Sequence, residues 1–186
     1  MNRLVFSIIV GAALSCVASA ACAREPGVDY ISKAFADGGY RPHAYLDADV
    51  IKRYGNGAET VDQIGLVRRV YRDATSGREV VITSNPDVAP EFRTLDEIRV
   101  SSLSSGEGNA GTVEGLGAIA LNGVRIGGPA AAVQKIASQA AAKESVQDRL
   151  GGVVVDRTCI FLEGGSSNCY FLREGKVVAL AVGFGP

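Results

Sequence analysis

One short pattern occurs twice in this chain, and it limits what the chain can become. Residues 158–182 read as three short β-rich runs separated by two turn signals, Glu163-Gly164-Gly165-Ser166 and Glu174-Gly175. Residues 66–101 repeat the layout. Strands are expected over 66–71, 79–83 and 95–101, with turn material at 73–77 and a break at Asn85-Pro86. In the later copy, strands are expected over 153–162, 169–172 and 176–182. Glu174-Gly175 suits a two-residue hairpin turn, because both central positions of such a turn take positive φ.

Helical signals precede each copy. Residues 28–36 place Tyr30 or Ile31, Ala34 and Phe35 on one side and stop at Gly38-Gly39. Residues 47–55 offer Asp47 as N-cap, an apolar face of Val50, Ile51 and Tyr54, and Gly55 as the stop. In the second copy, Gly127-Gly128-Pro129 opens a helix with proline in its first turn. Val133, Ile136, Ala137 and Ala140 continue it, and a further helical piece is expected up to about residue 150, stopped by Gly151-Gly152. The Ser/Gly-rich stretch 101–117 separates the copies.

The copies align. Ala48–Lys52 matches Ala131–Lys135 at an offset of 83, while Tyr71 matches Phe161 and Val81 matches Phe171 at an offset of 90. This alignment sets Cys159 and Cys169 against Arg69 and Glu79, so an ion pair across the first hairpin would stand where the second has a cystine. The reading is an α+β fold of two tandem units, each a helical segment followed by a three-stranded antiparallel sheet. The sheets join into one curved sheet with helices on one face. The organisation is residues 1–23, a signal peptide; 24–102, the first unit; 103–118, a linker or loop; and 119–186, the second unit with the cystine.

The first 23 residues carry Arg3, an apolar run over 4–17, and small residues after it, which is an export signal. Ala18-Ser19-Ala20 and Ala21-Cys22-Ala23 are competing cleavage sites. Cleavage after Ala23 removes Cys16 and Cys22 and leaves Cys159 and Cys169 as one pair. Cleavage after Ala20 leaves Cys22 odd, and lipidation of Cys22 is a third option. The expected location is therefore periplasmic or secreted, with an outer-membrane lipid anchor as the alternative.

A disulfide between Cys159 and Cys169 closes a small loop, worth about 2–3 kcal/mol in a chain-entropy account. Strand alternation puts Phe161, Phe171, Val178 and Leu180 on the cysteines' face. Ile160, Leu162, Tyr170, Leu172, Val177 and Ala179 fall on the other. Both faces are apolar, so one needs the helices and the other needs the partner repeat, a second subunit or another protein.

Charge and motif content narrow the function. With 19 Lys and Arg against 20 Asp and Glu, the chain lacks the basic footprint of a nucleic-acid binder. No lysine-rich amphipathic stretch marks a membrane surface, and no membrane insertion of the mature chain is expected. Gly106-Glu107-Gly108-Asn109-Ala110-Gly111 matches G-x-G-x-x-G, but a Ser-rich segment precedes it where a phosphate loop needs a strand. His43 is the only histidine, so no metal site and no cofactor is expected. A hydrolase built on His43 with Asp47 or Asp49 stays open, although no G-x-S-x-G elbow is present. Arg68 and Arg72 share one strand face and Arg69 takes the other. Arg68, Arg72, Tyr170 and Leu172 are the candidate protein-contacting residues.

Asn122-Gly-Val-Arg-Ile-Gly-Gly-Pro-Ala-Ala-Ala-Val-Gln-Lys-Ile136 is similar to the helix opening of bacterial envelope domains of the SmpA/OmlA kind. The whole also resembles the tandem domains of the beta-lactamase-inhibitory-protein family. The resemblance implies an exported, duplicated, cystine-containing fold of helices on a small antiparallel sheet, whose members bind proteins. The functional expectation is an exported, non-enzymatic protein-binding module: an inhibitor, an immunity-type protein or an envelope accessory. The alternatives are a small secreted hydrolase using His43 and an envelope component anchored through Cys22.

Overall fold

The computed structural model describes residues 29–36, 45–61, 63–85 and 87–184. The protein is mixed α/β but mainly sheet. Three α-helices are present among the described residues: α1 (Tyr30–Ala36), α2 (Asp47–Tyr54) and α3 (Ala130–Gln139). The strands of the first half are β1 (Ala58–Val61), β2 (Val67–Asp73), β3 (Arg78–Ser84) and β4 (Leu95–Ser101). Two-residue strands follow, β5 (Gly111–Thr112), β6 (Ala120–Leu121) and β7 (Val124–Arg125). The second half ends with β8 (Lys143–Leu150), β9 (Val153–Phe161), β10 (Ser166–Arg173) and β11 (Lys176–Phe184).

The helices follow the expected spacing, with one change at a cap. α1 buries Ile31, Ala34 and Phe35, one helical stripe. α2 stops at Gly55, where φ is +81°. Its N-cap is Leu46, not Asp47. Asp47 lies inside the first turn because its carboxylate is committed elsewhere. Arg69 of β2 donates to both oxygens, Nε to Oδ1 at 2.8 Å and Nη2 to Oδ2 at 2.9 Å. Ser84 Oγ of β3 donates to Oδ1 at 3.0 Å. This buried knot ties α2 to the sheet, and Arg69 also reaches the Asn56 carbonyl and Glu59. Its bond to Asp47 raises the Arg69 pKa against the desolvation that lowers it.

Residues 143–150, expected to be helical, are a strand. Lys143 pairs with Ile160 and the ladder runs to Leu150 opposite Val153. Gly151 and Gly152 take φ of +57° and +79°, so they form a hairpin turn rather than a helix stop. Val146 and Leu150 are four apart, a spacing that fits a helix face as readily as one strand face. β1 was likewise not visible as a strand in the sequence. Each half therefore supplies four long strands rather than three.

The main sheet has nine strands. Eight run in the order β1-β2-β3-β4-β11-β10-β9-β8, and β5 pairs in parallel with β2. All other pairings in it are antiparallel. The halves meet at β4 and β11, from Ser101 opposite Ala179 to Glu97 opposite Gly183. Residues 102–118 are packed rather than splayed out. Ser105 N–H donates to Glu79 at 2.7 Å, and Leu116 N–H donates to Asp73 at 3.0 Å. β5 lies so close to Tyr71 that a Cβ at Gly111 would meet its ring at 2.6 Å.

The sheet divides the core into two. On one face Tyr71, Val80, Ile82, Ile98, Tyr170 and Leu180 pack with Ile31, Phe35, Val50 and Val133 of the helices. On the other, Leu150, Val155, Phe171, Ala179 and Ala181 gather round Cys159 and Cys169. A β-bulge sets this partition. Phe171 faces Ala179 but Leu172 faces Val177, so Val178 is the extra residue. Leu180 consequently lies under the helices and Ala179 beside the cystine, the reverse of simple alternation. The first hairpin is also offset from the alignment above: Arg69 faces Ile82, and Glu79 faces Arg72.

Cys159 and Cys169 are directly opposed and joined by a disulfide. Its closure of a ten-residue separation predicts that reduction lowers the unfolding midpoint by about 5–10 °C, checked by calorimetry with and without reductant. Arg69→Met strands the buried Asp47 carboxylate and is expected to cost about 3–5 kcal/mol in urea unfolding. Asp73 is a third anchor. Burial pushes its carboxyl up, but bonds from Ser76 Oγ and from the Thr75, Ser76 and Leu116 N–H groups outweigh that and hold it below 3.8. The stability this gives is present above pH 3.8 and lost as pH falls through the lower folded-state value. An Asp73→Asn variant is expected to show a flatter stability curve below about pH 4.

Candidate functional site

The helix-free face of the sheet is concave. In the strand order, β2 and β8 lie six places apart, about 29 Å in a flat sheet. Yet Leu66 and Arg68 at one side and Glu144 at the other line a single groove of about 750 Å³. Leu150, at the end of β8, likewise packs in one cluster with Leu103, just beyond β4. Gly151 sits so close to the Ser104 carbonyl that a Cβ there would overlap it. The sheet therefore curls over its own second core.

Register places the groove's side chains in rows. Across the middle run Val70, Val81, Arg99, Ala181, Cys169, Cys159 and Glu144. The next row includes Ser101, Ala179, Phe171 and Arg157. On β11, where Gly183 lines the groove, this face carries Ala179, Ala181 and Gly183, which have almost no side chain. That is why Arg99 on β4 can lie across β11 and place its guanidinium 5.9 Å from the Phe171 ring centroid on β10. At Gly183 even a Cβ would press on Ser167 Oγ at 3.2 Å. Arg157 is the cross-strand neighbour of Phe171 from the opposite side. Arg99 thus approaches this buried ring, and Arg157 stands opposite Phe171 in the ladder.

Each arginine is steadied by a carboxylate. Arg99 Nη1 lies 3.2 Å from Glu97 Oε1. Arg157 Nη1 donates to Asp148 Oδ2 at 3.0 Å, and its Nη2 lies 3.8 Å from Glu144 Oε2. The Nε atoms of both are buried and have no hydrogen-bond acceptor among the described residues. Arg68 also lines the groove, and with Arg99 it borders a second cavity of about 310 Å³ under the β8–β9 turn.

The residues expected to touch a partner divide. Arg68 is in the groove. Arg72 keeps a side chain 41% exposed and is tied to the sheet, its Nη2 donating to Glu79 at 2.9 Å and to Ser104 Oγ at 3.2 Å. Tyr170 is fully buried on the helix side, where its hydroxyl accepts from Asn122 Nδ2 at 3.0 Å. Leu172 packs against the same core. Burial thus takes Tyr170 off any partner-facing surface. His43 and Cys22 lie outside the described residues. Asp47, the acid weighed as a partner for His43, has its carboxylate occupied by Arg69 and Ser84. Gly106–Gly111 lies in the β4–β5 connection, and no α-helix follows until Ala130. Among the described residues, no group of three or more His, Cys, Asp or Glu is placed to hold a metal ion. No helix among them is long and apolar enough to cross a membrane.

Arg99, Arg157 and Phe171 were not singled out by the sequence. A signal was present for Arg99: in β4, Ile98 and Val100 mark one face, so Arg99 belongs to the other. Its approach to Phe171 depends on the β4–β11 pairing and on the bulge at Val178, which no local pattern encodes. Compared with protein-family models, with curated proteins and with solved structures, the chain matches none.

Proposed function

We infer that this protein is an exported binding module, not an enzyme, and that it docks another protein at the open end of its concave groove. The observation that carries the reading is where its exposed apolar side chains lie. Seven large apolar residues are exposed among those described: Val61, Ile64, Val88, Phe92, Val146, Val154 and Phe161. Five of them belong to one end of the sheet. Val61 ends β1, Ile64 sits in the β1–β2 turn, Val88 and Phe92 lie between β3 and β4, and Phe161 ends β9. Pairing aligns these ends: Val61 with Val67, Val67 with Ser84, Ser84 with Leu95, Glu97 with Gly183, and Phe161 with Ser167. The groove reaches the same end through Leu66, Asn85, Thr94 and Gly165.

Ile64 at 78% and Phe92 at 67% exposure are costly to leave in water unless something covers them. Apolar loop tips round a polar groove have the make-up of a protein interface, an apolar contact beside fixed polar groups. The apolar run over 4–17 and the Cys159–Cys169 bridge support export to an oxidising compartment. The order β1-β2-β3-β4 meeting β11-β10-β9-β8, each set preceded by a helix, supports the reading of two tandem units.

The test is site-specific photo-crosslinking in the producing cell. Photoreactive residues at Ile64 and Phe92 are expected to capture the same protein. One at Val154, near the far end of the sheet, is expected to capture nothing. Equal capture at all three positions, or capture at none, overturns the reading.

A further inference from the structure

Arg69, Arg99 and Arg157 each face a carboxylate, and they do so unequally. Arg69 grips Asp47 with its Nε and Nη2 edge, at 2.8 and 2.9 Å. This is the bidentate geometry in which guanidinium and carboxylate fit best. In Arg99 and Arg157 the steadying carboxylate, Glu97 or Asp148, takes Nη1 instead. The Nε side is left over, and in both residues that Nε is buried without an acceptor among the described residues. A buried donor on a charged group that lacks an acceptor is unfavourable. The same deficiency is found at Arg93, Arg99 and Arg157 among the described residues, and the last two line one groove.

We propose that Arg99 and Arg157 form a clamp for a carboxylate, and that the carboxylate is an Asp or Glu side chain on the docked protein. The proposal deepens the binding reading above and rests on it for the partner. The Arg99 guanidinium is held in advance by Glu97 and the Phe171 ring, and that of Arg157 by Asp148 and Glu144, so little ordering is left for the moment of binding. The two side chains are 23% and 34% exposed, so the clamp is entered from the groove. A partner's carboxylate supplies the missing acceptors and keeps its remaining lone pairs for the Nη groups.

The charge of the groove decides among anions. Arg68, Arg99 and Arg157 line it together with Asp96, Glu97 and Glu144. Cations and anions balance, so a polyanion such as nucleic acid or an anionic lipid surface finds no net attraction there. A single carboxylate, read by directed hydrogen bonds, meets less repulsion than a multiply charged phosphate.

The experiment is NMR of the Nε–H groups of the ¹⁵N-labelled oxidised protein. The probes are the peptide acetyl-Gly-Phe-Glu-Phe-Gly-amide, its Glu→Gln counterpart, inorganic phosphate, and vesicles of phosphatidylglycerol. The Glu peptide is expected to shift the Arg99 and Arg157 Nε–H signals and to bind about tenfold more tightly than the Gln peptide. Arg99→Lys and Arg157→Lys keep the charge but lose the fork, so each is expected to abolish that preference while unfolding at an unchanged midpoint. Equal binding of the two peptides overturns the clamp, as does a preference that survives both lysine variants. Equal shifts with phosphate reduce it to a general anion patch, and shifts with vesicles replace it by lipid binding; either also overturns it. The outcomes separate the two readings. A protein captured at Ile64 and Phe92 whose capture ignores both lysine variants leaves the docking reading and removes the clamp. A Glu-selective shift without any captured protein does the reverse.

Discussion

The antiparallel pairing of β4 with β11 is the constraint on which the architecture depends. It joins residues 97–101 to residues 179–183 and converts two four-stranded meanders into one sheet. It also makes the concave face continuous, since the groove draws its walls from both halves. The bulge at Val178 is part of this joint. Its carbonyl accepts Ser102 N–H at 2.9 Å, so the residue displaced from one ladder helps close the other. The same displacement sends Leu180 under the helices and leaves Ala179, Ala181 and Gly183 on the β11 face that carries the cystine.

Three arginine sites use one chemistry for different ends. At Arg69 the fork is closed on Asp47 beneath α2, and the result is a rigid anchor. At Arg72 the guanidinium is shared between Glu79 and the β4–β5 connection, which fixes that segment to the sheet. At Arg99 and Arg157 the carboxylates are partly exposed and take only Nη atoms, leaving Nε without an acceptor among the described residues. What separates the anchor from the groove arginines is burial. Asp47 and Arg69 are withdrawn from water on both sides, so neither partner is exchangeable without exposing a bare charge.

Most of the element types could be read from local pattern, because local pattern decides them. The strands expected over 66–71, 79–83 and 95–101, the Glu174-Gly175 turn and the stripe on α3 all correspond to observed elements. Glu174 and Gly175 take φ of +51° and +75°, as the turn requires. The failures have a common cause in long-range pairing. Residues 143–150 carry too few apolar side chains to reveal a strand, and only β9 makes them one. The faces of β11 could not be assigned because a bulge shifts the period midway. The alignment of Arg69 with Glu79 treated the two hairpins as equal in register, and the first pairs three residues out of step with that. The groove was the least legible feature. Arg68 was reached through alternation, but Tyr170 was misjudged. Which of two apolar faces meets the helices is a tertiary question.

The joint between β4 and β11 has a further consequence for assembly. Each four-stranded half is built from neighbouring strands, but the seam links positions 78 to 86 residues apart in the chain. Until it closes, each half displays an unpaired edge that the other half of any copy can satisfy. The seam is therefore the one contact that an exchange of halves between two copies would have to reuse.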